Sequence, residues 1–258
     1  MTAALSDFAP VDTLQGRVAV IAGGTGAIGR ACALRLARLG AACVLLHRSG
    51  GADAALAALP AVPGPGHASL HADITDSATL RAAAAQVAAR YGPAHILVNS
   101  AGHTRPVPAA DLEALSDELI DEMLRVNFRG VVATIRAFVP LLQASGDGLV
   151  VNISSIAGFT GSGSNLAYAA AKASVDLVGD ALARALAPTL RVISVSPGVV
   201  DTGFVPGRGA EFNARAGAAT PLLRVGTADD VAAAVQACAT TLRYATGTRL
   251  VVDGGRHL

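Results

Sequence analysis

Short apolar runs alternate with longer helical segments along almost the whole chain, and this alternation constrains the fold more than any other feature. The runs are rich in Val, Ile and Leu and lack the strict polar alternation of a half-exposed strand. Such runs are typical of strands that are buried on both faces of a parallel sheet. The pattern predicts a mostly parallel, seven-stranded sheet. The seven runs are Arg17–Ala22, Ala42–Leu46, Ala68–His71, His95–Asn99, Gly148–Ile153, Arg191–Ser196 and Arg249–Val252.

The segments between these runs are rich in alanine and have helical spacing. Helices that connect parallel strands form right-handed crossovers, so the fold class is predicted to be α/β, a doubly wound Rossmann-type fold with helices flanking the sheet. With no evident linker, 1–258 is expected to form a single domain with an N-terminal extension, 1–15. The stretch 203–221 lacks a clear period and is expected to be a flap over a substrate site. The main predicted helices are Ile28–Leu39, Thr79–Tyr91, Asp117–Gln143, Leu166–Ala187 and Ala228–Leu242.

Composition narrows the possible classes of partner. Apolar residues make up 52% of the chain, charged residues 15%, and the net charge is +1, so nothing indicates nucleic acid or an anionic membrane surface. No apolar stretch reaches the ~18 residues of a membrane helix, and Met1–Gln15 lacks the pattern of a signal peptide. The three cysteines, Cys32, Cys43 and Cys238, fit no disulfide or metal spacing. We therefore expect no metal and a cytoplasmic location.

A glycine-rich loop follows the first predicted strand. Residues 23–29 read Gly-Gly-Thr-Gly-Ala-Ile-Gly, and a helix then begins. Glycines let the backbone approach an anion, and the free N–H groups and dipole of a helix N-terminus attract it, which is what a dinucleotide diphosphate requires. Gly-rich turns are common, so this motif alone leaves an ordinary turn open. Its place in the first strand–helix unit favours dinucleotide binding.

The end of the second predicted strand indicates which dinucleotide is bound. The chain there reads His47-Arg48-Ser49, without the acidic residue that would hold the ribose hydroxyls of NAD. Arg48 is suited to pair with a 2′-phosphate, so NADP(H) is favoured over NAD(H). The alternative is that Arg48 is a solvated loop residue.

Tyr168 and Lys172 are the candidate reactive pair. Their i, i+4 spacing places both on one face of a predicted helix. A phenol titrates near ~10 and is a poor proton source or sink at neutral pH, whereas a nearby ammonium favours the phenolate. An isolated Tyr-x-x-x-Lys match would more often be an ordinary surface pair, so the remaining motifs decide its meaning.

These motifs together resemble the classical short-chain dehydrogenase/reductase family, from Gly16 to Gly255. Ser155 lies thirteen residues before Tyr168, at the family's spacing for its catalytic serine. The other matches are Asn99-Ser100-Ala101-Gly102, Asp73, Asn127 in Val126-Asn127-Phe128, Pro197-Gly198 with Thr202, and Val252-Asp253-Gly254-Gly255.

The resemblance implies the roles of the site residues. Ser155 and Tyr168 would bind the substrate carbonyl, Tyr168 would exchange a proton with it, Lys172 would hold the nicotinamide ribose and lower the phenol pKa, and Asn127 would position a water. The cofactor residues are then Gly23, Thr25, Ala27, Ile28, Gly29, His47, Arg48, Ser49, Asp73, Ile74, Asn99, Ala101, Gly102, Tyr168, Lys172, Pro197, Gly198, Val200 and Thr202. The substrate residues are Ser155, Tyr168, His103, Phe159, Leu166 and Phe204, with Phe212 as a further candidate.

The sequence leaves several alternatives open for the family branch and the activity. Ala22 and Ala27 replace a Thr and a Gly of the family's loop, and the loop also fits the extended branch, whose usual C-terminal domain is longer than this chain provides. An NADP(H)-dependent oxidoreductase acting on a neutral, moderately apolar ketone or alcohol is expected. The rivals are a 3-oxoacyl-thioester reductase and a catalytically idle NADP(H)-binding sensor. An enoyl reductase ranks lower, because its Tyr and Lys are usually spaced more widely.

The resemblance also implies an assembly. Relatives imply a homo-oligomer, a tetramer or else a dimer.

Overall fold

The computed structural model describes residues 10–258, which form one seven-stranded sheet in the order β3-β2-β1-β4-β5-β6-β7. Every pair of neighbouring strands is parallel, so the predicted Rossmann-type sheet is confirmed and is parallel throughout rather than mostly so. The strands are β1 Val18–Ala22, β2 Ala42–His47, β3 Ala68–His71, β4 Ile96–Asn99, β5 Gly148–Ile153, β6 Leu190–Pro197 and β7 Thr248–Val252.

Helices cover both faces of this sheet and enclose two apolar layers. One layer contains Leu97 and Phe138, and the other contains Ile21 and Leu36, all fully buried. Because consecutive strand residues point to opposite faces, an unbroken apolar strand such as β1 supplies both layers. The helices are α1 Ala27–Arg38, α2 Ala52–Ala57, α3 Ser77–Tyr91, α4 Asp117–Leu124, α5 Gly130–Ala144, α6 Ala157–Thr160, α7 Leu166–Leu186, α8 Ala210–Ala218 and α9 Ala228–Thr240.

The predicted helix Asp117–Gln143 is interrupted. A π-helical turn, Arg125–Arg129, separates α4 from α5 and contains the buried Asn127. Such turns are wide and occur mostly as single insertions near functional sites. The stretch 203–221, whose sequence lacks a clear period, contains the helix α8. None of the helices within residues 10–258 is both long and apolar enough to cross a membrane.

The described part of the N-terminal extension runs along the body of the protein. Val11 donates to the Thr240 carbonyl at 3.0 Å, and Leu14 donates to the Leu39 carbonyl at 2.7 Å. Leu14 is buried in the α1 layer. The rest of the predicted extension, 1–9, lies outside the described residues.

Strand order sets the position of the site. The chain leaves β1 toward β2 on one side, whereas β4 lies on the other side of β1. Connections therefore diverge at the carboxyl ends of β1 and β4 and leave a crevice there, which is the general ligand position in open α/β sheets.

Candidate active site

The glycine-rich loop and the carboxyl ends of β1 and β2 form a cavity of about 450 Å³. The helix α1 begins here after its N-cap residue Gly26, and it has neither a side-chain cap nor an acidic residue in its first turn. Its first N–H groups are therefore available to an anion. The cavity brings together most of the predicted cofactor residues, namely Gly23, Thr25, Ala27, Ile28, Gly29, His47, Arg48, Ser49, Asp73, Ile74, Ala101, Gly102 and Thr202.

Two of the loop glycines are required by close packing. Gly23 has φ +74°, and a Cβ atom there would lie 2.7 Å from the Ala101 nitrogen. A Cβ on Gly29 would collide with the carbonyl oxygen of Gly23. The loop therefore depends on glycine to fold tightly against α1 and β4, which leaves room for a diphosphate above it. This construction fits a dinucleotide.

Arg48 and Asp73 both line this cavity. Burial acts to raise the pKa of Asp73, but hydrogen bonds from Thr75 and the positive charges of Arg48 and Arg125 hold that pKa below its usual range. The Thr75 backbone and hydroxyl donate to Asp73 Oδ1 at 2.7 and 2.8 Å. Asp73 thus shapes a turn in addition to lining the cavity, while Asp76 caps α3.

A second cavity, of about 660 Å³, contains Ser155, Tyr168 and Lys172 on its wall. It adjoins the first, since Ala101, Gly102, Thr202 and Phe204 line both. Pro197, Gly198 and Val200, which were predicted to contact the cofactor, also lie here. The two cavities together form one continuous cleft.

The start of α7 fixes the position of Tyr168. The Asn165 side chain caps this helix by accepting a 2.7 Å hydrogen bond from the Tyr168 nitrogen. Tyr168 and Lys172 then follow one turn apart, with Lys172 Nζ 5.6 Å from the centroid of the Tyr168 ring. Lys172 Nζ also donates to the Ile153 carbonyl at 2.8 Å. An asparagine cap thus determines which residues of the helix face the cavity.

Burial shifts both titratable groups toward their neutral forms. It raises the pKa of Tyr168 to about 12, against the lowering effects of a hydrogen bond with Ser155 and of the Arg208 charge. Burial lowers the pKa of Lys172 to about 8, against the raising effect of Asp176. The expected shift of the phenol toward neutrality therefore does not occur in the protein alone. At neutral pH the phenol is protonated.

Asn127 lies outside both cavities and is fully buried. Its Nδ2 atom donates to the carbonyls of His103 and Met123 at 3.0 and 3.1 Å, and its Oδ1 atom accepts from the His103 nitrogen at 3.3 Å. The side chain ties the π-helical turn to the chain after β4. A Cβ on Gly102 would lie 2.7 Å from Asn127 Oδ1, so this junction also needs glycine.

Four other predicted residues lie apart from the wall that carries Tyr168. Asn99 is buried and donates to Asn152 Oδ1 at 2.9 Å, where it braces β4 against β5. His103 lines the first cavity, and its Nε2 atom is 3.2 Å from Glu122. Phe159 packs against His257 and Arg249, whereas Leu166 is partly exposed, and neither lines either of these two cavities.

Two other predicted substrate residues, Phe204 and Phe212, do line the Tyr168 cavity. Sequence reasoning missed Arg208, Arg256 and His257, which line it as well. They come from the loop before α8 and from the end of the chain, and no motif links these segments. Two of these side chains, Arg208 and Arg256, are cations, whereas a neutral, moderately apolar substrate was expected.

The arrangement has counterparts among known proteins. A family model described as Enoyl-(Acyl carrier protein) reductase matches residues 23–257. A Streptomyces violaceoruber protein named as a ketoacyl reductase of the granaticin polyketide synthase is 36% identical, over 96% of this chain and 98% of that protein. This chain is a short-chain dehydrogenase/reductase. Like its family members, it is an oxidoreductase that acts on carbonyl and alcohol groups and uses a nicotinamide dinucleotide.

Further relatives support the same family. The cis-4-hydroxycyclohexanecarboxylate dehydrogenase of Sinomonas cyclohexanicum is 34% identical, over 93% of this chain and 96% of that protein. The structure of levodione reductase superposes with a TM-score of 0.87 at 27% identity, covering 95% of this short-chain dehydrogenase/reductase and 98% of the other. A Serratia marcescens family member gives a TM-score of 0.84 at 31% identity, covering 95% and 99%.

Proposed function

We propose that the protein is an NADP(H)-dependent oxidoreductase in which Tyr168 is the general acid and base for carbonyl–alcohol interconversion. One observation carries the proposal: Tyr168, Ser155 and Lys172 share one cavity that adjoins the dinucleotide cavity. Among the described residues of that wall, no other pair combines a proton donor with a neighbouring cation at helical spacing. The remaining residues of the site support distinct steps.

The proposed proton chemistry follows from the positions of these side chains. Ser155 and Tyr168 bind the substrate oxygen, and the neutral phenol of Tyr168 donates its proton to that oxygen during reduction. A bound nicotinamide dinucleotide supplies the hydride for reduction and accepts it in oxidation. Lys172 favours the phenolate that remains, because its ammonium lies on the same helix face. Asn127 holds the backbone beside the site through His103.

Relatives within the family are named for different substrates. The description of the matched family model names an enoyl reductase. The four-residue spacing of Tyr168 and Lys172 nevertheless favours carbonyl reduction. Reduction of a 3-oxoacyl thioester is the second candidate, because a ketoacyl reductase and the 3-oxoacyl-[acyl-carrier-protein] reductase of Escherichia coli, 31% identical, are among the relatives. The Sinomonas relative is named for a ring alcohol that bears a carboxylate.

The decisive experiment is NADPH oxidation against ketones, diketones and 3-oxoacyl thioesters, with Tyr168→Phe as the variant. We expect Tyr168→Phe to lower kcat/KM by about 10²- to 10⁴-fold, the usual contribution of a general acid, while NADPH binding is retained. Full activity of Tyr168→Phe would refute the role of this residue. Tight NADPH binding without turnover of any substrate would favour the idle sensor.

We base the preference for NADP(H) on Arg48. This side chain lines the dinucleotide cavity beside Asp73, and its guanidinium matches a 2′-phosphate. Arg48→Gln is expected to lower kcat/KM with NADPH by about 10- to 100-fold, the value of a charge-assisted contact, and to spare NADH. Arg38→Gln is the matched control, since Arg38 is exposed at the end of α1 and lines neither cavity. A wild-type preference for NADH would contradict the assignment.

We also propose a single-domain, cytoplasmic homo-oligomer, a tetramer or else a dimer. The three buried free cysteines suit a reducing compartment. Exposed apolar side chains such as Leu177 on α7 suit helix packing between copies. Light scattering after size-exclusion chromatography tests the assembly, and a monomer at micromolar concentration would contradict it.

A further inference from the structure

The wall of the Tyr168 cavity is rich in cations. Lys172, Arg208 and Arg256 line it, and no Asp or Glu side chain of the described residues does so. A concave wall with basic groups and without carboxylates raises the local concentration of anions. This basic wall differs from what the expected neutral, moderately apolar substrate would require.

The two arginines have different surroundings. The Nη1 atom of Arg256 donates to the Ala216 carbonyl at 2.9 Å and lies 3.4 Å from Thr220 Oγ1, so Arg256 holds the end of α8. Within residues 10–258, the guanidinium of Arg208 makes no hydrogen bond or ion pair, and it lies 4.4 Å from the centroid of the Phe212 ring. Stacking on an aromatic face orients the guanidinium plane and leaves its N–H edge for a ligand.

Arg208 is also electrostatically close to the reacting phenol. Burial raises the pKa of Tyr168, and the Arg208 charge acts in the opposite direction. Burial and the charge of Arg256 lower the pKa of Arg208 itself. A half-buried cation without a counter-ion is costly to the protein, and a bound anion removes that cost.

We propose that Arg208 binds a carboxylate of the substrate, so that the enzyme reduces an oxo acid, or oxidises the corresponding hydroxy acid, in this cavity. The inference rests on the proposed function, since it assigns a substrate class to the same site. One free guanidinium matches one carboxylate in charge and in bidentate geometry. Arg208 therefore determines specificity, while Tyr168 retains the proton transfer.

Matched substrate pairs test this assignment. Each pair is an oxo acid and its methyl ester, for example 4-oxopentanoate and methyl 4-oxopentanoate, or 4-oxocyclohexanecarboxylate and its methyl ester. The variant is Arg208→Gln, and the matched control is Arg215→Gln, an exposed arginine of α8 that pairs with Glu211 and does not line the cavity. Acetoacetyl-coenzyme A serves as the thioester probe.

For the best pair, we expect the wild type and Arg215→Gln to prefer the acid by about 10-fold or more in kcat/KM. Arg208→Gln should lose this preference by slowing turnover of the acid while leaving the ester within about 3-fold. Equal turnover of acid and ester by the wild type would overturn the inference and leave the proposed function intact. The inference would also be overturned if Arg208→Gln lowered kcat/KM equally for the acid and the ester. A wild-type preference for the thioester that Arg208→Gln abolishes would overturn it as well.

A binding experiment tests the carboxylate site without requiring turnover. Cyclohexanecarboxylate and methyl cyclohexanecarboxylate contain no reducible ketone, and their dissociation constants are measured by calorimetry with NADP⁺ present. Tighter binding of the acid that Arg208→Gln abolishes and Arg215→Gln retains supports the inference even if no oxo compound is reduced. Lack of turnover across the panel would then count against the proposed function alone. Indistinguishable binding of acid and ester would overturn the carboxylate site.

Discussion

Lys172 Nζ on α7 donates a 2.8 Å hydrogen bond to the carbonyl oxygen of Ile153, the last residue of β5. Two residues later the chain reaches Ser155, so this hydrogen bond connects the helix of the tyrosine to the strand of the serine. The lysine is buried, and its surroundings lower its pKa to about 8. The protonation of a single side chain therefore affects both parts of the proposed site.

The pH dependence of carbonyl reduction should follow Lys172. Tyr168, whose pKa burial raises to about 12, stays protonated throughout the neutral range. The charge of Lys172 is present below about pH 8 and is lost as the pH rises through that value. We expect kcat/KM for reduction to be level below about pH 8 and to fall about tenfold per unit above it. Rates from about pH 6 to about pH 10 measure this, and a level profile to pH 10 would contradict it.

Asp176 should determine the position of the alkaline limb of this pH profile, which is the part where kcat/KM falls as the pH rises. Its carboxylate is buried one turn after Lys172, raises the pKa of Lys172 and pairs with Arg249 at 2.9 Å. Asp176→Asn should therefore move the limb to lower pH. It should also lower the free energy of unfolding by about 1 kcal/mol, because Arg249 is partly exposed and is hydrated after the change. Asp180→Asn, on the same helix, is the control and should leave the limb in place.

Asn127 should contribute to stability as well as to activity. Asn127→Ala removes the partners of the His103 nitrogen and carbonyl. Leaving such groups unsatisfied costs about 1–3 kcal/mol, so the midpoint of urea unfolding should fall. Asn127→Asp should cost more, since a carboxylate would face two carbonyl oxygens. An alanine variant with wild-type stability would show that these hydrogen bonds are dispensable.

The three cysteines should be inert in the native protein. Burial raises the pKa of Cys32 and Cys43 to about 12 and that of Cys238 to about 11. Thiolates are the reactive form, so a disulfide reagent at about pH 8 should titrate no thiol in the native protein and all three in guanidinium chloride. Rapid reaction of one native thiol would reveal local opening around it.

The fold could be predicted because it depends mainly on patterns within short stretches of sequence. Uninterrupted Val, Ile and Leu runs need burial on both faces, and the strand bounds from the sequence agree with β1–β7 to within one residue. The π-helical turn was not predicted, because Arg125–Arg129 contains no Pro or Gly that would mark a break in a helix. The helix α8 was missed because it is short, with nine residues, and contains Gly217, a poor helix former, near its end.

The site was predictable only where short motifs define it. Tyr168, Lys172 and Ser155 have fixed spacings, and these spacings place them on one wall. Arg208 and Arg256 reach that wall from segments whose position depends on tertiary packing. Phe159, which was expected in the pocket, instead packs against Arg249 and His257. Distant contacts of this kind have no local sequence pattern.

The wide turn at Arg125–Arg129 makes the helix between β4 and β5 sensitive to chain length. A π-helical turn holds one residue more than an α-helical turn, and each residue of an α-helix advances the helix by about 100°. Deleting one residue within this turn would restore a regular helix and rotate Asn127 away from His103. Single-residue deletions here should thus be far more damaging than most substitutions, and alignments of active homologues should contain no gap at these five positions.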